Sequence, residues 1–514
     1  MRKISDSTLY ILILIITFVL VSSMYFKKQY SNINVDEMLF YLSNGLDGAS
    51  FDAIYQGIID NIVDLLLLLF ILSIPLFSTN GYHFYLEYRY KNFKQQIQLY
   101  PFGYKIKFIY IFILILGTSF YAIKAFKINE YILAQQEYSL FIEENYVNPS
   151  NIEIRFPEEK RNLIIIYLES FETTMMSQEN GGAWKVSVTP ELEQLGIENL
   201  NFSNTSILGG AIPTNGTKWT IAGLVASTAG IPLKIPPALA NSYTTENSFL
   251  NGAITLGDIL KEEGYKTKIM FGSDAKFGGR EAYFKVHGDY DIFDLHSAIN
   301  SGKMDESETV FWGFEDKKLF EWAKEEIVRL SRDGKPFNFN LLTVDTHFPD
   351  GYLEKDTPKS FPTQYENVFA QSSSEVALFL EWLEEQEFYK DTTIVLLGDH
   401  NSMQEETYYT ERISDDFTRV TFNTFINAVK EPINEKNRLF STIDMYPTIL
   451  SSIGVDIIGN KLGLGVDLFS NSPTLFEQYG VEYTNLELQK NSLFYNREFL
   501  GDDFIILQKS LSIE

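Results

Sequence analysis

After Asn162, short apolar runs alternate with longer amphipathic stretches, and this alternation limits the folds that the chain can adopt. The first run, in the string NLIIIYLES, is apolar on both faces, which is typical of a parallel strand buried between two layers. Strands separated by helices predict an α/β sandwich with a mostly parallel central sheet. We predict further strands at 266–271, 337–344 and 393–397, and helices at 191–195, 256–263, 316–331, 373–387 and 444–452.

Length, charge and cysteine content restrict the function of such a chain. Its 514 residues exceed one ordinary hydrophobic core, so we expect two or more domains. The net charge of −26 argues against nucleic acid as a partner, because phosphate backbones require a basic surface. The sequence contains no cysteine, which excludes disulfides, thiolate metal sites and a cysteine nucleophile.

Three apolar segments, at residues 9–26, 58–77 and 108–123, precede the alternating region and predict three transmembrane helices. The first would span roughly 27 Å as a helix. A cleaved signal peptide is its alternative, but no A-x-A-like site follows. In the second segment, Asp60 and Asp64 lie either at the membrane interface, which we favour, or in a functional intramembrane pair. The third is short, and lysines can snorkel from its ends: Lys105, Lys107, Lys124 and Lys127.

Charges in the flanking loops predict the orientation of these segments. Arg2 and Lys3 precede the first one, and the loop at 78–107 is basic apart from Glu87. The positive-inside rule places both on the cytoplasmic side and everything after Lys127 outside. We therefore expect a multi-pass protein of the cell (inner) membrane with an extracytoplasmic, periplasmic main domain.

The same reasoning divides the chain into three parts. We predict a transmembrane anchor at 1–127, a linker at 128–161 with a single helix over 128–145, and the large α/β domain at 162–514. A further interfacial helix fits within 38–55, between the first two apolar segments.

Potential metal ligands follow two of the predicted strands. Glu169 comes directly after the first strand, and Asp399 and His400 follow a later one in the string GDHNSM. Ligands gather at the carboxyl ends of parallel strands, and carboxylate and imidazole groups suit Mn²⁺, Zn²⁺ or similar ions. Taken singly, an Asp–His pair after a strand is more often a helix cap or a surface turn, and acidic residues such as Glu169 often end strands.

Thr220 opens the apolar run TIAGLVAS and is a candidate nucleophile. A lone threonine at this place is more often a helix N-cap. The two interpretations are compatible, because a helix N-terminus stabilises an anion such as a phosphorylated side chain. A hydroxyl is a weak nucleophile at neutral pH, but a metal can activate it. With Glu169, Asp399 and His400, Thr220 therefore indicates a divalent metal site that carries a hydroxyl nucleophile.

Two further side chains are candidates for binding an anionic substrate. His347 follows a predicted strand in LLTVDTHFPDG, where a structural histidine is the alternative. Arg280 lies in the glycine-rich string FGGREAYFKVHGDYD and could pair with a phosphate, although alone it is only an arginine in a loop.

The joint order of these motifs resembles the alkaline-phosphatase and sulfatase superfamily. Within it, the chain resembles the membrane phosphoglycerol transferases, which include the type that decorates periplasmic glucans and lipoteichoic acid synthase, and the glucan-decorating type is more similar. The strings that carry the resemblance span about 162–403: NLIIIYLESFE, GTKWTIAGLVASTAGIPL, LTVDTHFPDG and GDHNSM.

The resemblance implies roles for single residues. The metal site and its nucleophile would be Glu169, Thr220, Asp399 and His400, with His347 and Arg280 on the phosphoglycerol group. Lipoteichoic acid synthase has a tryptophan two residues before the arginine, whereas this chain has Gly278. Recognition of the donor or the acceptor is therefore expected to differ from that enzyme.

The reaction that the resemblance implies has two steps. Thr220, activated by the metal, attacks the phosphorus of phosphatidylglycerol in the bilayer, and diacylglycerol leaves. A glycan or polyglycerophosphate acceptor then takes the phosphoglycerol group from the covalent intermediate. A periplasmic glucan, a capsule, lipopolysaccharide and a growing glycerophosphate polymer remain open as acceptors. Mn²⁺ is the expected cofactor, with Mg²⁺ or Zn²⁺ as alternatives.

Related activities are the alternatives. A sulfatase needs a Cys or Ser in a C/S-x-P-x-R motif, and Thr220 is instead followed by Ile-Ala-Gly-Leu. Phosphoethanolamine transferases have a similar fold, nucleophile and anchor, but their outer domains are generally cysteine-rich. Phosphodiesterase activity would result if water were the acceptor. A metal-free pseudoenzyme that binds lipid is the remaining alternative, and the presence of all four ligand positions argues against it.

Overall fold

The structure is a computed structural model that describes residues 6–29, 35–44, 51–77, 84–90, 93–100, 102–234 and 248–500. The predicted cytoplasmic charges Arg2, Lys3 and Lys91 lie outside the described residues.

Helices occur throughout the described part of the chain. They are α1 (Asp6–Gln29), α2 (Val35–Asn44), α3 (Phe51–Ser73), α4 (Tyr104–Ala125), α5 (Ile128–Gln136), α6 (Phe141–Asn145), α7 (Pro190–Glu198), α8 (Thr220–Ala229), α9 (Leu256–Glu262), α10 (Arg280–Val286), α11 (Leu295–Asn300), α12 (Asp316–Ser331), α13 (Gln364–Glu384), α14 (Glu406–Thr410), α15 (Met445–Ser452), α16 (Leu475–Tyr479), α17 (Val481–Gln489) and α18 (Leu493–Leu500).

Strands of six or more residues occur in one hairpin and in the central sheet, and the remaining described strands have two or three residues. They are β1 (Phe84–Tyr90), β2 (Phe93–Tyr100), β3 (Ile154–Arg155), β4 (Asn162–Leu168), β5 (Gly210–Ala211), β6 (Lys266–Phe271), β7 (Asp291–Phe293), β8 (Phe337–Leu342), β9 (Thr392–Gly398), β10 (Thr421–Ile426), β11 (Asp456–Ile457), β12 (Lys461–Leu462) and β13 (Gly465–Val466).

The first of two compact units comprises Met1–Ile33 and Phe51–Tyr131. Helix α1 packs against α3 and α4 through a small apolar core, and β1 and β2 form an antiparallel hairpin between α3 and α4 in sequence. Among the described residues, two helices are long and apolar enough to cross a membrane, Ser7–Lys28 and Lys105–Ala125. The middle apolar stretch, Asn61–Leu76, is shorter, so length and composition support two of the three predicted spans.

Lys107 and Asp64 of this unit can be compared with what the sequence predicts for charged residues near the apolar segments. Lys107 does not snorkel outward: it is buried, and its Nζ donates a hydrogen bond of 2.9 Å to the carbonyl oxygen of Leu76. Asp64 is exposed within the unit, and the side chain of Asp60 lies outside the described residues.

The predicted linker helix is wrong in one respect. Two short helices, α5 and α6, replace the single helix expected after Lys127. They are separated because Tyr138 forms a bridge with Asn491, and the amide of Ser139 donates to the carbonyl of Asn491 at 2.9 Å. Tertiary pairing thus interrupts a stretch with helical propensity.

The second unit comprises Asn34–Ser50 and Ile132–Glu514 and contains the predicted α/β domain. Its central sheet has the order β5-β10-β9-β4-β8-β6-β7. Strands β4, β6, β7, β8 and β9 are parallel, whereas β10 pairs antiparallel with β9 and with β5. The predicted mostly parallel sheet is confirmed.

Strand β4 shows why this sheet lies between two layers of helices. Its side chains alternate between two apolar clusters, and all of those from Leu163 to Leu168 are buried. Leu163, Ile165 and Tyr167 pack with α8, α9 and α15, whereas Ile164, Ile166 and Leu168 pack with α7, α12 and α13. Burial of each such aliphatic side chain contributes about 1.5–3 kcal/mol, so both faces of the strand stabilise the sandwich.

Two helices differ from their predictions. Helix α13 begins at Gln364, well before the predicted start, because Thr363 and Glu366 form a capping box. Helix α2 lies where an interfacial helix was expected, but Val35 and Phe40 are buried, and Phe40 belongs to the core of the second unit. This helix is therefore part of the large domain's packing.

Candidate functional site

Three potential metal ligands converge at the carboxyl ends of two neighbouring strands. Glu169 follows β4, while Asp399 and His400 follow β9, and the register pairs Leu168 with Gly398. All three side chains are buried, and one ligand atom of each lies within 4.8 Å of the others. The structure thus brings together three of the residues predicted from the sequence.

The carboxylate of Asp399 has one satisfied and one unsatisfied oxygen. Its Oδ1 accepts hydrogen bonds from the amides of Ser170 at 2.8 Å and His400 at 2.7 Å. Among the described residues, its Oδ2 is buried without any hydrogen-bond partner. Leaving a buried charged oxygen unpaired is costly, so this oxygen is suited to coordinate a cation.

The ring of His400 is oriented by its neighbour. Its Nδ1 lies 2.8 Å from the carbonyl oxygen of Asn401, an arrangement in which Nδ1 carries the proton and donates it. Its Nε2 then faces inward, 3.4 Å from Glu169 Oε1 and 3.5 Å from Asp399 Oδ2. Two carboxylates and one imidazole nitrogen form a donor set that suits a divalent transition metal.

Electrostatics in this cluster favour a cation. Burial raises the pKa of Asp399, and the charge of Glu169 raises it further. Burial acts to raise the pKa of Glu169 too, but His347 and His400 outweigh it and the net shift is downward. Burial lowers the pKa of His400, yet the charges of both carboxylates outweigh it and raise that pKa to about 10. A divalent cation would compete with this proton for the excess negative charge.

Thr220 lies at the same cluster but is not an N-cap. Trp219 occupies the N-cap position, and Thr220 is the first residue of α8. Its Oγ1 lies 3.3 Å from Glu169 Oε2 and 3.3 Å from His400 Nε2. The hydroxyl therefore adjoins the metal-ligand candidates, at a helix end whose first amides are available to an anion.

Gly223 allows α8 to approach the loop that carries Asp399. A Cβ at this position would lie 2.0 Å from the carbonyl oxygen of Asp399, which is shorter than any tolerated contact. Because Gly223 is three residues after Thr220, both lie on about the same face of the helix. The close packing of this glycine positions the hydroxyl beside the cluster.

Gly223→Ala should separate α8 from the Asp399 loop and destabilise the protein by about 1–3 kcal/mol. Thermal unfolding of the purified chain, with bound metal measured on the same samples, tests this. Gly196→Ala is the matched control, since its Cβ would lie 3.2 Å from the side chains of Leu208 and Phe422, which can shift. Equal losses in the two variants would contradict the role given to Gly223.

A small pocket adjoins the hydroxyl. Its lining is Tyr41, Glu169, Thr220, Ile221, Ser273, Phe277, Gly278, Arg280, Trp312, Thr343, Val344 and His347. The site therefore combines a hydroxyl, the Glu169 carboxylate and two basic side chains in one partly open pocket.

Arg280 is the buried cation of this cavity. Its Nε donates to the carbonyl of Phe277 at 2.9 Å, and its Nη2 donates to Ser273 Oγ at 3.1 Å and the carbonyl of Asp274 at 2.6 Å. Among the described residues, Nη1 makes no hydrogen bond, so it can serve a ligand. Burial lowers the pKa of Arg280, while Tyr41 and Glu169 act in the opposite direction.

His347 lies on the same cavity wall. Its Nδ1 is 2.7 Å from the carbonyl oxygen of Phe348, and its ring lies 4.6 Å from that of Trp312. Burial lowers the pKa of His347, against the raising effect of Glu169. An anion bound in the cavity would favour its protonated form and a hydrogen bond to the ligand.

Sequence reasoning missed several residues that shape the site. Ser170 adopts a left-handed backbone (φ 57°), donates its hydroxyl to Glu169 at 2.7 Å and its amide to Asp399. The dipeptide Glu169–Ser170, directly after the first strand, could have suggested that Ser170 supports Glu169. Trp312 and Tyr41 carry no motif that predicts their positions.

A comparison with known families matches residues 161–455 to the family described as Sulfatase. That stretch contains all six predicted site residues. The sequence is also 33% identical over 326 residues to phosphoglycerol transferase I from Escherichia coli O127:H6 (strain E2348/69 / EPEC), covering 62% of this chain and 40% of that relative. Phosphoglycerol transferase I from Shigella boydii serotype 18 matches to the same extent. The chain thus spans about two fifths of the length of these relatives.

Solved structures include similar chains. The lipoteichoic acid synthase LtaP from Listeria monocytogenes has a TM-score of 0.49 and 17% identity, covering 65% of this chain and 82% of that one. The lipooligosaccharide phosphoethanolamine transferase EptA from Neisseria meningitidis has a TM-score of 0.48 and 12% identity, covering 86% and 84%.

Proposed function

This chain belongs to the sulfatase family, and from that premise we propose that it is a metal-dependent phosphoglycerol transferase with Thr220 as its nucleophile. The family match confirms the resemblance drawn from the motifs and the expected alkaline phosphatase/sulfatase-like α/β fold. The one observation that carries the proposal is the position of the Thr220 hydroxyl, 3.3 Å from Glu169 and from His400. The specific donor is suggested by the similarity to phosphoglycerol transferase I.

Glu169, Asp399 and His400 would hold a divalent cation, and Thr220 would complete its ligands. The unpaired Oδ2 of Asp399 and the inward-facing Nε2 of His400 support this assignment. When bound, the cation would lower the pKa of the Thr220 hydroxyl and offset negative charge on the phosphate. We propose Mn²⁺ as the ion, with Mg²⁺ or Zn²⁺ as alternatives.

The proposed reaction forms and breaks one bond at phosphorus in each step. Thr220 loses its proton, and its Oγ1 bonds to the phosphorus of phosphatidylglycerol. The bond from phosphorus to the diacylglycerol oxygen breaks, and that oxygen takes up a proton. An acceptor hydroxyl then loses its proton to bond to phosphorus, and Thr220 leaves and is reprotonated. Glycerophosphoryl-threonine is the intermediate.

Arg280 and His347 would bind the phosphoryl oxygens during both steps. Arg280 is held rigidly through Nε and Nη2, so its Nη1 is pre-oriented toward a ligand. Fixed donors of this kind stabilise negative charge without reorganising during the reaction. His347 would add a second donor from the neighbouring strand end.

Family membership does not make sulfate esters the substrate. At the position of the proposed nucleophile, this chain has Thr220 rather than a Cys or Ser that could be converted to formylglycine. A threonine hydroxyl beside a metal site suits covalent transfer of a phosphoryl group. Phosphoethanolamine transfer remains the second candidate for the donor, and a glycan or polyglycerophosphate is the proposed acceptor.

The apolar helices suggest where the reaction takes place. We propose that they anchor the chain in the cell membrane, with three spans, and that the domain at 162–514 lies on the outer side. A lipid donor would then be available to a tethered enzyme. The division into an anchor at 1–127 and a linker at 128–161 is part of this proposal, with α2 packed in the large domain.

Release of diacylglycerol tests the function directly. The full chain, purified in detergent, is mixed with vesicles of phosphatidylglycerol or phosphatidylethanolamine, with Mn²⁺ present or chelated. We expect diacylglycerol from phosphatidylglycerol only, and only with the metal. Release from phosphatidylethanolamine alone would favour the second candidate. No release from either lipid, with no metal bound, would favour the pseudoenzyme.

A further inference from the structure

One wall of the cavity is a continuous row of aromatic rings. Tyr41 stacks on Phe277 with ring centroids 5.4 Å apart and an angle of 17°. Phe277 is followed by Trp312 at 5.0 Å, and Trp312 by His347 at 4.6 Å. All of these rings line the cavity that contains the Thr220 hydroxyl. A ligand bound there must contact this row.

The indole of Trp312 carries an unused donor. Its Nε1 is buried and has no hydrogen-bond partner in the part of the chain that the structure describes. An indole nitrogen can only donate, and a buried donor is normally paired. Trp312 lines the cavity, so a ligand oxygen that reaches this buried N–H is a candidate partner for it.

Tyr41 reaches the cavity from a separate part of the sequence. It belongs to α2, between the first two apolar segments, and α2 is joined to the domain through Phe40. Phe40 is fully buried, with its ring 6.3 Å from that of Trp219, the residue before the nucleophile. Helix α2 thus contacts both the nucleophile region and the segment that immediately precedes Arg280.

Gly278 leaves room between this wall and the nucleophile. A Cβ there would meet only Ile221 Cγ2, at 3.9 Å, and the left-handed backbone (φ 65°) disfavours a side chain. A larger residue at this position would project into that space. The open space and the aromatic row together form a pocket beside the phosphoryl-binding groups.

The charges of the lining favour a neutral headgroup over an ammonium. Glu169 is the only carboxylate among the described residues that line the cavity, and it belongs to the metal-ligand cluster. Aromatic rings can attract a cation, but Arg280 already lies over the Phe271 and Phe277 rings, at 5.0 and 5.9 Å. A second cation beside this buried guanidinium would be repelled.

We propose that Trp312 and Tyr41 select a neutral polyol headgroup, with the Trp312 N–H donating to a hydroxyl and the Tyr41 ring packing against the carbon chain. This inference rests on the proposed function, since it concerns how the site recognises the headgroup that is attached to the phosphoryl group of the donor. It makes the upstream helix α2 a component of the substrate site.

The test compares two donors in the full chain. Initial rates are measured with short-chain phosphatidylglycerol and short-chain phosphatidylethanolamine for wild type and Trp312→Phe, which keeps a ring but removes the N–H. Loss of one hydrogen bond should lower kcat/KM for phosphatidylglycerol about tenfold and leave any phosphatidylethanolamine rate unchanged. Trp382→Phe, a tryptophan in the sheet-covering helix α13, is the matched control and should change neither rate.

Variants of Tyr41 separate the ring from general packing. Tyr41→Ala should raise KM for phosphatidylglycerol about tenfold with little change in kcat. Tyr41→Phe should have a KM close to that of wild type, because it keeps the ring that is the proposed contact. An equal loss on both lipids, or unchanged selectivity in Trp312→Phe and Tyr41→Ala, would overturn this inference alone. Failure of the wild type to cleave phosphatidylglycerol would instead overturn the proposed function.

Discussion

Thr220→Ala should reduce diacylglycerol release from phosphatidylglycerol by at least roughly 10³-fold, to the background of the assay. The reason is that the variant has no oxygen to form the covalent intermediate, while its ligand candidates Glu169, Asp399 and His400 remain. The loss should therefore appear in kcat, with metal content and thermal stability close to those of wild type. Rates with and without Mn²⁺ and metal analysis of the same preparation provide the measurement.

Thr220→Ser is the matched control for this result. It keeps the hydroxyl and removes only a methyl group, so part of the activity should remain. A Thr220→Ala protein that released diacylglycerol at the wild-type rate would exclude Thr220 as the nucleophile. A variant that lost its metal entirely would instead indicate that Thr220 mainly holds the cation.

Asp399→Asn should abolish both metal binding and turnover. Asparagine keeps the size of the side chain but removes the charge from the oxygen that has no protein partner. Mutation of a residue that only hydrogen-bonds to a metal ligand typically lowers metal affinity by about 10–100-fold. Loss of a direct ligand should have at least that effect. Metal content per chain, measured after dialysis against a weak chelator, should fall with the transfer rate.

Asp467→Asn provides the control for burial itself. Asp467 is also buried and bonds to Ser451 Oγ at 2.6 Å, but it lies outside the cluster. This variant is expected to lose stability while keeping its metal and its rate per folded molecule. Wild-type metal content in Asp399→Asn would show that the proposed ligand set is wrong at this position.

Much of the site could be predicted because sheet geometry brings strand ends together. Glu169 and the Asp399–His400 pair are far apart in sequence, yet each directly follows a strand that is apolar on both faces. Parallel strands place such residues at one edge, so their proximity follows once β4 and β9 are recognised. Thr220 was placed by its position before an apolar helix, although its cap role was wrong.

The rest depended on packing that local pattern does not encode. The start of α13 followed from a capping box, a signal present in the sequence but missed. The burial of α2 and the entry of Tyr41 into the cavity depend on contacts with Trp219 and Phe277, which no spacing predicts. Likewise, the linker was divided by a bridge from Tyr138 to a distant residue, so tertiary pairing overrode local helical propensity.

The central claim, covalent transfer through Thr220, is tested most directly by the mass of the intact protein. The full chain is incubated with phosphatidylglycerol and Mn²⁺ without an acceptor, quenched in acid at short times and analysed before and after proteolysis. We predict one added glycerophosphoryl group per chain, located on Thr220 and absent from Thr220→Ala. Diacylglycerol release by a metal-loaded protein that carries no adduct at any quench time, or an adduct on another residue, would contradict it.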